Sequence, residues 1–175
     1  MKLLEYVLRG TPGHPIHPPL TDATIGAYTF ATIAAVLSKL GVAEEGFAHG
    51  WWLALVVGLV ISAATALTGL VDYLRISTGT PLKRTATVHA LTMVAATIVF
   101  AVAIGAGHGG YSDAEVTTGA FLLTLVGFGL LTAGGMFGGS VTYVHGMRVL
   151  ELVDEPTRRA LSPLPSEEKE RAEQG

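Results

Sequence analysis

The chain has 175 residues, half of them hydrophobic and 14% charged, with a mean hydropathy of +0.51 and a formal net charge of −3. That balance excludes an ordinary soluble surface and points to an integral membrane protein. The sequence has no cysteine, which excludes disulfides, thiolate-held metals and iron–sulfur clusters within this chain; a bound metal would use His, carboxylate, Met or backbone ligands.

Residues 1–19 form an N-terminal segment. Met1 to Thr11 carries Glu5 and Arg9 and lacks the uninterrupted apolar run of a cleaved signal peptide, so the N-terminus is expected to be retained. His14-Pro15-Ile16-His17-Pro18-Pro19 follows; its prolines disfavour a helix and predict an extended strap able to fold back over a bundle end.

Crossing a hydrocarbon core ~30 Å thick takes about 20 apolar residues in a helix. Four stretches inside residues 20–147 satisfy this, at about 20–40, 51–74, 86–106 and 117–145. Each is continuously apolar rather than alternating, which indicates helices and not barrel strands. Connections of about ten residues make consecutive helices antiparallel neighbours. The expected fold is an all-α membrane protein, an up-down bundle of four transmembrane helices. Residues 148–175, with Pro156, Pro163 and Pro165 among charges, read as a flexible tail too polar to build a core.

Ten of the eleven Lys and Arg residues fall on one side of this topology, and Lys39 alone on the other. By the positive-inside rule, both termini are expected in the cytoplasm and the chain in the inner cell membrane as a multi-pass protein.

Lipid tails are as apolar as Leu, so helices associate through small residues and a few hydrogen bonds. The second span places Gly58, Ser62, Thr65, Gly69 and Asp72 on one face; the fourth carries two offset pairs, Gly134 with Gly138 and Gly135 with Gly139. Tight packing accounts for nearly all of these glycines, and room for a flat cofactor is the minority reading.

Ionisable groups at membrane depth are costly and so more informative. His14 and His17 precede the first span, with Asp22 one turn inside it. Asp72 ends the second, His89 opens the third, and Tyr143 and His145 end the fourth. Taken singly, each reads as an interfacial residue meeting water, headgroups or a cation, with Asp22 and Asp72 pairing with Arg75 or Arg84. Taken together, they gather at one membrane face, whereas His49 and His108 stand alone on the other.

Two chemistries suit such a set. Imidazoles from facing helices supply axial nitrogens to haem b, with glycines making room for the macrocycle; His89 and His145 are the expected axial pair, with His14, His17 and Tyr143 completing the cofactor-binding set. Alternatively His14, His17, Asp72, His89 and His145 ligate a mononuclear or dinuclear metal ion, iron, zinc or copper.

At these residues the chain resembles the bacterial family catalogued as domain of unknown function 2231, predicted four-span membrane proteins. The resemblance covers about residues 10–150. It rests on His14-Pro15-x-His17-Pro18 with Ile25-Gly26, on Gly69-Leu70-x-Asp72, on His89, and on Gly138-Gly139-x-Val141-x-Tyr143-x-His145-Gly146. Thr24 departs from it, where proline is expected before the Ile-Gly pair. The resemblance implies the four-span fold; some members look joined to Rieske-type iron–sulfur domains, which implies membrane electron transfer by analogy of fold.

The leading expectation is therefore a small membrane protein holding haem or a metal ion at the cytoplasmic face, with the lipid bilayer and a redox or membrane-complex protein as partners. A cofactor-free accessory subunit is one alternative. A proton or cation transporter is another, weakened by the lack of ionisable residues in the outer halves of the spans. Hydrolase and phosphate-cradling motifs are missing, so the chain is not expected to be an enzyme by itself, and its basic residues set topology rather than bind nucleic acid.

Overall fold

The structure, a computed structural model, describes residues 2–11, 13–150 and 153. The greater part of the expected tail lies outside them. The elements in chain order are α1 (Lys2–Arg9), a two-residue hairpin of β1 (Gly10–Thr11) and β2 (His14–Pro15), α2 (His17–Lys39), α3 (Glu44–Leu74), α4 (Pro81–Ser112) and α5 (Thr118–Gly139). A π-helical turn, Ser140–Val144, ends α5. Helices α2 to α5 are each long and apolar enough to cross a membrane. They pack against one another as the expected four-helix membrane bundle.

The helices overrun the apolar stretches. α3 starts at Glu44 rather than near residue 51, and α4 runs from Pro81 to Ser112 rather than over 86–106. Hydropathy marks only the part that meets hydrocarbon, whereas a helix continues wherever its ends are satisfied. Glu44 and Glu45 complement the dipole at the start of α3, and the Thr80 hydroxyl caps α4 by accepting the Lys83 N–H. The strap is also shorter than expected. Gly10 and Thr11 pair with Pro15 and His14, but Pro18 and Pro19 lie in the first turn of α2, where a missing N–H costs nothing.

Hydroxyls inside the spans bond back to their own helices. Thr24, Thr32, Ser62, Thr65 and Thr124 each donate to the carbonyl four residues earlier. These hydroxyls thus enter the core without orphaned donors.

The bundle consists of two hairpins, α2–α3 and α4–α5, built on one plan. In α2, His17 and Tyr28 face α3 at Gly69 and Gly58; in α4, His89 and Phe100 face α5 at Gly138 and Gly127. His89 and Phe100 lie 72 residues after His17 and Tyr28, and Gly127 and Gly138 lie 69 residues after Gly58 and Gly69. The same shifts carry buried Thr24 to Ala96, Ala31 to Ala103, Leu55 to Thr124 and Ser62 to Leu131, all buried too. The hairpins meet where Tyr28 and Phe100 stack, with centroids 4.0 Å apart and planes 14° from parallel. Neither ring has room for a side chain opposite: a Cβ on Gly58 would lie 2.6 Å from Tyr28, and one on Gly127 would lie 2.8 Å from Phe100.

Candidate functional site

The candidate site lies at the end of the bundle where α2 and α4 begin. His17 is the first residue of α2, and its Nδ1 lies 3.0 Å from the Thr65 carbonyl and 3.3 Å from the Thr68 hydroxyl, both on α3. His89 follows the same plan on the second hairpin, with Nδ1 2.8 Å from the Gly134 carbonyl of α5. A carbonyl only accepts, so in both rings Nδ1 carries the proton and, in the neutral ring, the lone pair sits on Nε2. In each case the carbonyl comes from the residue four before the glycine against which the ring lies, one turn along the same helix face.

That packing gives two of the glycines their role. A Cβ on Gly69 would meet His17 Cε1 at 2.6 Å, and one on Gly138 would meet His89 Cε1 at 2.9 Å. These two glycines make room for the imidazoles themselves. Gly134 likewise accommodates Met93, whereas Gly135 faces open space. Among the described residues, Gly134 and Gly138 of α5 lie against side chains of α4.

Asp72 ends the buried stripe of α3 and is 6% exposed. Sequence alone offered Arg75 or Arg84 as partners, but the carboxylate is held by residues distant in the chain. Arg9 Nε donates to Oδ1 at 2.9 Å, and Arg148 Nη1 donates to Oδ1 and Oδ2 at 3.0 and 3.1 Å. Arg148 Nη2 also reaches the Thr11 carbonyl at 3.5 Å. Arg148 has φ 61°, a left-handed conformation uncommon outside glycine, just after Gly146 at φ 67°. The turn past α5 therefore aims this guanidinium at Asp72, and one carboxylate ties the N-terminal hairpin and the C-terminal turn to the middle of the chain.

The remaining expected residues lie further out. His145 Nε2 is 3.0 Å from the Thr85 hydroxyl, one turn of α4 before His89. His14 is exposed on β2, Asp22 is exposed on the outer side of α2, and Tyr143 is 86% exposed. Among the described residues, no group of three or more His, Asp or Glu side chains converges closely enough to hold a metal ion. Sequence reasoning missed Arg9, Arg148, Thr65 and Thr68 as partners. The signal available for Thr65 and Thr68 was their place on the face that also holds Gly69 and Asp72.

The opposite end also departs from expectation. His49 and His108 do not stand alone: His49 meets the edge of Tyr111 at 4.9 Å, His108 lies 5.9 Å from Trp52, and Trp52 and Tyr111 lie 4.7 Å apart. Rings with an apolar body and a polar tip suit a membrane–water boundary.

No curated protein and no solved structure matches the chain. A family model described as a predicted membrane protein, DUF2231, matches residues 13–151, a stretch that holds both histidine clasps, Asp72 and Arg148. With four apolar helices packed as a bundle and well over half its length matched, the chain belongs to the DUF2231 family of membrane proteins.

Proposed function

We propose that the chain is a small membrane electron carrier in which His17 and His89 provide axial nitrogens to haem b, at the membrane face that the arginine-rich segments assign to the cytoplasm. The supporting observation is the pair of locked tautomers. Each Nδ1–H is committed to a main-chain carbonyl, at Thr65 and at Gly134, so each neutral ring keeps Nε2 as its lone-pair donor. A hydrogen bond of this kind also fixes ring orientation and raises the basicity of the opposite nitrogen.

The number of donors favours haem over a bare ion. Zinc held by protein alone takes three or four side-chain ligands, whereas haem brings four nitrogens and leaves two axial positions. His17 and His89, in matching places at the starts of α2 and α4, would fill those two positions. When bound, haem supplies one-electron exchange at iron. The chain's own residues do the rest: Thr65 and Gly134 orient the rings, Gly69 and Gly138 let them approach, and Thr68 gives His17 a second partner that His89 lacks. His145, whose Nε2 meets Thr85, leaves the axial pair in favour of His17.

The test is to express the chain in a haem-competent host, purify it in mild detergent, and record oxidised and dithionite-reduced spectra with elemental analysis of the same sample. A Soret band with sharp reduced α and β bands is expected. These bands should vanish in His17→Ala and His89→Ala and persist in His145→Ala. A colourless protein, or a spectrum indifferent to His17 and His89, removes the reading. Stoichiometric iron, zinc or copper without a Soret band assigns the histidines to an ion instead.

A further inference from the structure

A cleft of about 380 Å³ opens at this same end of the bundle, where α3 stops and α4 begins. Arg9, Arg75, Ser77 and Thr80 give its wall polar groups, and Ile76, Leu82 and Met147 give it apolar ones. Asp72 also reaches the wall, but its carboxylate is turned to Arg9 and Arg148. His17 and His89 are not among the described residues of the wall.

The polar residues have the chemistry of an anion site. A guanidinium carries five N–H donors in a planar fork that matches the oxygens of a phosphate. Thr80 is the N-cap of α4, so the wall includes the first turn of a 32-residue helix, whose dipole favours negative charge. The apolar residues define the rest of the ligand. Ile76, Leu82 and Met147 give a free inorganic ion nothing to bind, but they suit the start of an acyl chain.

We infer that this cleft seats a phosphate group, and that its apolar residues select it from a phospholipid: the headgroup phosphate adds to the contacts of the Arg9 and Arg75 guanidiniums, and the start of an acyl chain lies against Ile76, Leu82 and Met147. The site is separate from the histidine pair and does not depend on haem.

Titration of the purified full chain in a neutral detergent with phosphatidylglycerol, followed by ³¹P NMR and by native mass spectrometry, tests it. Saturable binding of one lipid per chain is expected. Losing a charge-assisted hydrogen bond should weaken binding about tenfold in Arg75→Gln. Ser77→Glu places a repelling charge on an exposed loop at the rim without disturbing a helix, and should weaken it similarly. Arg84→Gln, an exposed cation outside the described wall, should bind as the parent does. Inorganic phosphate is the second probe: saturable binding of it alone, with the same Arg75 dependence, keeps the site and moves its source to soluble phosphate. No saturable binding of either probe, or equal loss in Arg84→Gln, overturns the inference. Neither result bears on the absorption spectrum, so the two proposals fail separately.

Discussion

The first and second hairpins share a histidine, an aromatic ring and two glycines at matching places, and they differ in what fills the positions between. In α2–α3 those positions hold Thr24, Ser62, Thr65 and Thr68: the Ser62 hydroxyl meets Tyr28, that of Thr68 meets His17, and those of Thr24 and Thr65 meet each other. In α4–α5 the corresponding positions are Ala96, Leu131, Gly134 and Phe137. Both arrangements satisfy the backbone and pack closely, because the features that must match are geometric. A ring lying on a helix requires glycine beneath it, and an imidazole at the bundle end requires a main-chain carbonyl, which any residue supplies. The residues between are free to be polar or apolar provided each hydroxyl finds an acceptor.

The strongest way to break this comparison is to fill the shared glycines. Gly58→Leu and Gly127→Leu should each lower bundle stability by about 3 kcal/mol, since the new side chain displaces one ring of a stacked pair and hence the other. Gly26→Leu, with nothing within 4 Å, is the control and should be nearly silent. Unfolding in mixed micelles, followed by tryptophan fluorescence, would measure all three. Near-equal losses at Gly58 and Gly127 would establish the hairpins as equivalent; a tolerant Gly127 would confine the plan to the first.

Asp72 has no counterpart, since the matching position on the second hairpin is Val141. Asp72→Asn should cost about 2 kcal/mol, below the range for a fully buried pair because Arg9 and Arg148 keep 24% and 18% exposure. The loss should be local. Tryptic cleavage after Arg148 should accelerate severalfold while the tryptophan signal from the bundle interior stays put. Unchanged cleavage would mean that the turn past α5 holds Arg148 without the carboxylate.

Much of this architecture is legible in the sequence, for physical reasons that can be named. Four spans follow from hydropathy because lipid demands apolar length, and their ends are misjudged because a helix outlasts the hydrocarbon. The gathering of His17, His89, Asp72 and His145 at one end follows from counting residues along antiparallel helices. Their partners do not. His17 and His89 bind carbonyls, which leave no trace in residue identity, and Asp72 is met by Arg9 and Arg148 from 63 and 76 positions away. The shared plan was visible in one respect, the spacing of eleven residues, about three helical turns, from Gly58 to Gly69 and again from Gly127 to Gly138. Without the rings that lie on them, those glycines read as general packing.

The smallest effects should come from exchanging the rings themselves. Tyr28→Phe copies the second hairpin into the first. The Ser62 hydroxyl still donates to the Gly58 carbonyl at 2.7 Å, so nothing is orphaned, and the cost should be one neutral hydrogen bond, about 0.5–1 kcal/mol. Phe100→Tyr makes the reverse change and should cost more, about 1–2 kcal/mol, because buried Leu131 occupies the place of Ser62 and offers a hydroxyl no acceptor. Adding Leu131→Ser should then recover part of the loss, since serine can bond back to its own helix and still accept the phenol, as Ser62 does. That recovery is the sharpest discriminator. It requires the hydroxyl gained in Phe100→Tyr to arrive where Tyr28 places its own relative to Ser62, which follows only if the two hairpins share side-chain geometry as well as residue spacing.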